Sequence, residues 1–237
     1  MTNFYKQVCN FHQAFELPLK YEPDLSVFSN EKLCKLRYDL IKEEIGELND
    51  AIKAHDFVEI IDALSDIMYV VYGCGASFGF DFPDHLSYCK PNKTLTPKVN
   101  LFTNIDMMTG LSEYTDKFKS NLSQLKKYIF LIPEMDKIKH ELNNVLTNVF
   151  DIGNFLGIDL NKSYTIVHES NMTKLCKTEE EAIKTVEWYK NNEKRYDTPA
   201  YKKSKNDKDW IIYNESTNKI LKSINYIPAN FTNMLPN

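Results

Sequence analysis

Apolar residues recur at helical spacing along most of the chain. Phe4, Val8, Phe11 and Phe15 share one face of a helix over residues 2–16, because positions three and four apart stack on an α-helix. Pro18 and Pro23 then impose a loop. Leu33, Leu36, Leu40, Leu48 and Ala51 mark the buried side of a long helix from about Asn30 to Ala54, with Ser29 or Asn30 as its cap. A short His55–Asp56 turn leads to a third helix lasting to about Ser77. So short a link makes the two an antiparallel hairpin.

Residues 81 to about 110 carry Pro83, Pro91 and Pro97 and no steady period. Helices over roughly Leu111–Phe130 and Pro133–Leu156 follow, then one from Asp159 that ends near Val167 or runs on through His168–Asn171. The phrase Thr178-Glu179-Glu180-Glu181 opens a further helix to about Asn192, with a capping-box pattern and acids in the first turn. Near the C-terminus, Trp210–Tyr213 and Lys219–Ile224 flank a turn-rich stretch and predict a β-hairpin. Ser77-Phe78-Gly79-Phe80-Asp81-Phe82 is echoed by Phe155-Leu156-Gly157-Ile158-Asp159-Leu160, as if one connection had been split. The expected organisation is a helical core over residues 1–84 and 146–195, an insertion over 85–145, and a tail with the hairpin over 196–237. The fold class is mainly α.

Two acidic clusters interrupt this apolar pattern. The first is Glu43-Glu44-Ile45-Gly46-Glu47, and the second is Glu59, Asp62 and Asp66. From Phe57 to Phe80 those last three acids are the only charged residues. A carboxylate in apolar surroundings is costly unless paired, protonated or bound to a cation, and no Lys or Arg lies in that run. The hairpin brings both clusters within reach of each other, which points to a divalent metal site. Hard Mg²⁺ or Mn²⁺ prefers oxygen ligands and takes its remaining positions from water and substrate phosphates. The simpler readings are a solvated face for the first cluster, a solvent position for Glu43 beside Lys42, and a helix-cap role for Glu59 three residues after Asp56.

Other positions carry weaker signals. Asn171 and Lys174 are one helical step apart, so an amide and an ammonium could face one phosphate; a polar helix end has the same pattern. Arg37, seven residues before Glu44, could bind phosphate or partner the acids. His12 and Gln13 could reach a base or ribose, with surface positions the simpler reading. Gly73-x-Gly75-x-x-x-Gly79 has the wrong spacing for a dinucleotide fingerprint and follows a helix, so it reads as close packing or a helix stop.

Composition sets outer bounds. A net charge of −4 argues against a broad nucleic-acid or acidic-membrane surface. The longest apolar run carries three acids and is a poor membrane span. The N-terminus lacks a signal-peptide apolar core. Five cysteines without a C-x-x-C pair (Cys9, Cys34, Cys74, Cys89, Cys176) suit buried thiols in a reducing, intracellular and cytoplasmic setting.

Arg37 to Leu48, followed by Glu59 to Gly73, resembles the all-α nucleoside triphosphate pyrophosphatase superfamily, which includes MazG-like enzymes, dimeric dUTPases and phosphoribosyl-ATP pyrophosphohydrolases. Its E-E-x-x-E and E-x-x-D halves are both present as Glu43-Glu44-x-x-Glu47 and Glu59-x-x-Asp62. The phrase Val167 to Leu175 and the tail around Lys219–Tyr226 are similar to the phosphoribosyl-ATP pyrophosphohydrolase-like branch common in phages and large DNA viruses, where the setting would be host cytoplasm. The resemblance covers roughly residues 30–80 and 155–227; the segment 85–145 departs from it and would be a lid, a partner surface or an oligomer contact. The resemblance implies a helical bundle with Glu44, Glu47, Glu59 and Asp62 as magnesium ligands. It further implies Glu43, Glu47 and Asp66 as catalytic carboxylates, Glu43 and Asp66 being outer or second-metal groups. Arg37, Asn171 and Lys174 are the substrate-binding candidates. The implied reaction is hydrolysis of a nucleoside triphosphate to a monophosphate and pyrophosphate. Phosphoribosyl-ATP hydrolysis, a dUTPase, or a non-catalytic metal-stabilised interaction protein are the alternatives. A homodimer or homotetramer is expected, since a helical hairpin with an apolar face needs a cover.

Overall fold

In the computed structural model, which describes residues 3–82 and 105–235, helices dominate. They are α1 (Asn3–Ala14), α2 (Glu31–Ala54), α3 (Phe57–Phe78), α4 (Ile105–Lys126), α5 (Met135–Leu156), α6 (Leu160–Met172) and α7 (Glu179–Asn192). Local chemistry sets their ends. The Asn30 side chain accepts from the Leu33 N–H at 3.0 Å and caps α2. His55 closes that helix in the left-handed region, and Asp56 then caps α3 by accepting from the Val58 and Glu59 N–H groups. Both residues of the turn are thus committed to helix termini, and the α2–α3 hairpin has no slack.

Gly79 stops α3 with φ 92°, where a Cβ would fall 1.8 Å from the Glu22 carbonyl oxygen. Only glycine fits there. Gly157 ends α5 with φ 72°, so the two echoing phrases are two left-handed helix stops.

Helix α3 is the central element and packs against α1, α2, α5 and α6. Ile60, Leu64, Ile67, Met68, Val71 and Tyr72 are buried on it. The hydroxyls of Ser65 and Ser163 meet at 2.7 Å between α3 and α6, and Tyr164 donates from α6 to the Phe4 carbonyl at 2.9 Å. The apolar face of the hairpin, expected to need a second subunit, is therefore covered within one chain by α1, α5 and α6.

The segment expected to be an insertion joins this core. Helix α5 runs unbroken through residues 145 and 146, the position of the expected boundary, and buries Val145, Leu146, Val149 and Ile152 in the same cluster as α3. Asn148 donates to Asn121, and Asn121 to Glu141, tying α4 to α5. Residues 85–104 of that segment, with Cys89, lie outside the described residues. Cys9, Cys34, Cys74 and Cys176 are free and buried thiols. No described helix is long and apolar enough to cross a membrane.

The C-terminal sheet has three antiparallel strands instead of two: β1 (Pro199–Lys203), β2 (Trp210–Asn214) and β3 (Lys219–Ile220), in that order. Strand β1 follows a Tyr-Asp-Thr-Pro stretch and alternates weakly, which hides it from pattern reading. Strand β3 ends at Ile220, short of the expected Ile224. Ile211 of β2 enters the main core and Ile212 a second cluster with Val186, Tyr189 and Leu221. The sheet is thereby clamped between α7 and the bundle.

Because α5 shares the core of α3, Leu146→Ala should lower the stability of the whole chain by about 2–5 kcal/mol, in one cooperative transition by urea denaturation. An unchanged main transition, with a separate early one, would mean that α4 and α5 form an independent appendage.

Candidate active site

One cleft of about 440 Å³ gathers residues from both helices of the hairpin and from the C-terminal half of the chain. The antiparallel register does the first part. Glu44 and Glu47 on α2 face Asp66 and Asp62 on α3, and all four line the cleft. They make no hydrogen bond or ion pair among the described residues. Burial, then the neighbouring Asp66 and Glu47 charges, pushes the Glu44 carboxyl up to about 9. Burial and Asp62 raise Asp66 to about 7, and burial and Glu59 raise Asp62 to about 6. Glu47, exposed at the mouth, is raised by its partial burial and by Glu43.

The opposite wall is cationic. Lys174, in the turn after α6, is half-buried beside Asn171 and pulled down to about 8 by desolvation, which Asp66 opposes. Lys219 on β3 reaches Glu43 at 2.6 Å. Lys222 stands 4.6 Å above the Tyr226 ring, with its backbone N–H donating to the Tyr189 hydroxyl. Ser170 donates to the Ile227 carbonyl at 2.7 Å, which straps the tail to the end of α6. That strap holds Tyr226 over the cleft.

Not every expected site residue arrives where the sequence placed it. Glu43 is an ion-pair partner of Lys219, so it is not a free carboxylate. Glu59 is exposed and outside the cleft lining, and Asp56 beside it supplies the cap; its charge still reaches Asp62. His12 is buried instead of being on the surface, because it packs under α2 and α3. Arg37 lies two turns from the acids and partners none of them; its Nη2 sits 3.3 Å from His12 Nε2. Lys219, Lys222 and Tyr226 went unrecognised as site residues. Their signal is the family resemblance of the tail around Lys219–Tyr226, which assigns no role to single residues, and nothing local ties that tail to α2.

The donor set suits a hard divalent cation. Glu44, Glu47, Asp62 and Asp66 supply oxygen only, and each is raised by burial first and by its acidic neighbours second, so a bound cation would favour their charged forms. As the side chains stand, no three His, Cys, Asp or Glu among the described residues are grouped to hold a metal ion.

Residues 8–87, which begin within α1 and include all of α2 and α3, match the family model described as phosphoribosyl-ATP pyrophosphohydrolase. Over 98% of its length the chain is 34% identical to "Uncharacterized protein L479" of Acanthamoeba polyphaga mimivirus, covering 95% of that protein. The chain belongs to the phosphoribosyl-ATP pyrophosphohydrolase family. It is thus a hydrolase acting on phosphoric anhydrides, within the MazG-like all-α superfamily, and it acts on a nucleotide. Family membership sets aside the non-catalytic alternative. Enzymes of the family typically depend on a divalent metal. No solved structure matches the chain.

A carboxylate raised in the folded state binds its proton more tightly there than in the unfolded chain. Its stabilising contribution is complete below the unfolded value and is lost as pH rises through the folded one. For Glu44 that window runs from 4.5 to about 9, and for Asp66 from 3.8 to about 7. Metal-free protein should therefore melt at progressively lower temperature from roughly pH 5 to pH 9. Glu44→Gln should flatten that decline and raise the melting temperature at about pH 8, by about 2–4 °C per kcal/mol of repulsion relieved. A pH profile identical to wild type in chelator would show that the acids do not repel one another.

Proposed function

We propose that the protein is a Mg²⁺-dependent nucleoside triphosphate pyrophosphohydrolase that releases a nucleoside monophosphate and pyrophosphate. The observation that carries this reading is the confrontation, across one cleft, of four unpaired carboxylates with Lys174 and Lys222. Neither wall alone suits a polyphosphate. The acids repel it, and the lysines offer no means of activating water.

Glu44, Glu47 and Asp62 would hold the cation. Glu59, outside the cleft, is left to shape the field at its mouth. When bound, the cation supplies charge neutralisation of phosphate oxygens and Lewis acidity. The chain's own groups do the rest. Asp66, raised by burial to about 7, is in its carboxylate form matched to take the proton from the attacking water. Water oxygen bonds to the α phosphorus, the bond from that phosphorus to the αβ-bridging oxygen breaks, and pyrophosphate leaves. Lys174, Lys222 and the Asn171 amide face the departing phosphates and stabilise their growing charge. Lys219, held by Glu43, positions that wall and limits the negative charge felt by Glu44. Any homodimer or homotetramer must use a surface other than the covered face of the α2–α3 hairpin.

Pyrophosphate release from a nucleotide panel, with products identified, tests this directly. Turnover should require Mg²⁺ or Mn²⁺ and vanish in chelator. Asp66→Asn and Lys174→Met should each lower kcat by about 10²–10³-fold, as loss of one electrostatic group typically does, while Glu59→Gln should retain most activity. Release of orthophosphate instead of pyrophosphate would overturn the proposed bond cleavage. Preferred turnover of phosphoribosyl-ATP or dUTP would keep the chemistry and assign a narrower substrate.

A further inference from the structure

The carboxylates occupy only one end of the cleft. At the other end Arg37 and His12 come together, and the proposed chemistry uses neither. The hairpin register that sets Glu44 against Asp66 sets Arg37 against Gly73, seven residues further along each helix. At 1.5 Å of rise per residue the two ends are roughly 10 Å apart. Gly73 makes the space: a Cβ there would lie 3.2 Å from Arg37 Nη1 and 3.3 Å from His12 Nε2.

Arg37 is 4% exposed and lines the cleft, yet it has no carboxylate partner among the described residues. His12 cannot serve as one. Its Nδ1 lies 2.8 Å from the Pro18 carbonyl oxygen, so Nδ1 carries the proton and donates. Nε2 is then the acceptor for Arg37 Nη2 at 3.3 Å. This neutral imidazole fixes the guanidinium in place without cancelling its charge. The buried Nε–H of Arg37 has no acceptor among the described residues. A buried donor without a partner costs free energy, and a guanidinium has no acceptor atom of its own with which to adapt.

The surrounding walls are apolar and aromatic: Phe11, Leu36, Leu40, Tyr69 and Val70. A phosphate would have to shed its water there against one cation, whereas a flat neutral ring would bury its faces at little cost. We propose that this end of the cleft is the nucleobase pocket, and that Arg37, oriented by His12, selects bases presenting a carbonyl oxygen over adenine. A carbonyl edge gives Arg37 the acceptor it lacks. The adenine amino group puts a donor where Arg37 also donates. The inference rests on the reading that the cleft takes a nucleotide.

Inosine and adenosine nucleotides differ at that edge, with oxo against amino at the same ring position, so they are the probe. The expected result is a kcat/KM for inosine triphosphate at least about 10-fold above that for adenosine triphosphate, with inosine monophosphate binding tighter than adenosine monophosphate by a similar factor in titration calorimetry. Arg37→Lys keeps the charge but loses the planar fork, and Arg37→Met loses both; each should bring the two ratios to about one. Equal handling of the nucleotides by wild type, or a preference that survives in folded Arg37 variants, overturns the proposal. If neither variant folds, the wild-type ratios decide alone. Selective monophosphate binding without pyrophosphate release from any nucleotide would sink the hydrolase reading and leave this pocket standing. Efficient hydrolysis without base preference would do the reverse.

Discussion

The chain is organised around one electrostatic constraint, the facing of like charges across the α2–α3 hairpin. Glu44 and Glu47 oppose Asp66 and Asp62 with no described cation in contact with any of them. Helix α3 is otherwise among the most buried segments of the protein, so its two cleft acids sit where an apolar side chain would be more stable. Such an arrangement persists only where the rest of the structure enforces it. Here the enforcement is visible. The turn residues His55 and Asp56 are both tied into caps, Gly79 blocks any extension of α3, and α1, α5 and α6 hold the remaining faces of that helix. The repulsion cannot relax by sliding the two helices.

The cationic wall follows from the same constraint. Lysines on α2 or α3 themselves would pair with the acids at helical spacing and quench them. The lysines come instead from distant segments, Lys174 after α6 and Lys219 and Lys222 from the tail, and among the described residues only Lys219 of the three makes an ion pair. The small sheet and the strap over α6 therefore do more than finish the fold. They bring positive charge to a cleft of about 440 Å³ that the four acids also line.

This division also marks what the sequence makes legible. The helices, the hairpin and the acidic stripes are local, period-bearing features, so Glu44, Glu47, Asp62 and Asp66 can be picked out before any coordinates. The contacts that frame those residues are not local. Lys219 reaches Glu43 across 176 positions, and His12 meets Arg37 across 25. No periodicity encodes either contact. His12 looked like a surface residue because its polarity is satisfied by one backbone carbonyl, an arrangement invisible in a helical pattern. Glu59 stands apart from the other four. It fits the family's E-x-x-D phrase, yet in the first turn of α3 it is exposed and outside the cleft lining, while Asp62 one turn on lies within it. Strand β1 was missed because its burial alternates too weakly to stand out against a loop.

The two ends of the cleft make different demands on one helix pair, and that explains the spacing between them. An uncompensated guanidinium close to Glu44 would become its ion-pair partner, removing at once the charge deficit that suits a cation and the unpaired donor that suits a ligand. Two helical turns of Leu40, Val70 and Tyr69 keep them apart. His12 then supplies what a carboxylate otherwise would, a fixed hydrogen bond for the arginine, while adding no negative charge. On this argument the neutral histidine is as necessary as the arginine it holds, because replacing it with an acid would satisfy Arg37 and leave it nothing to recognise.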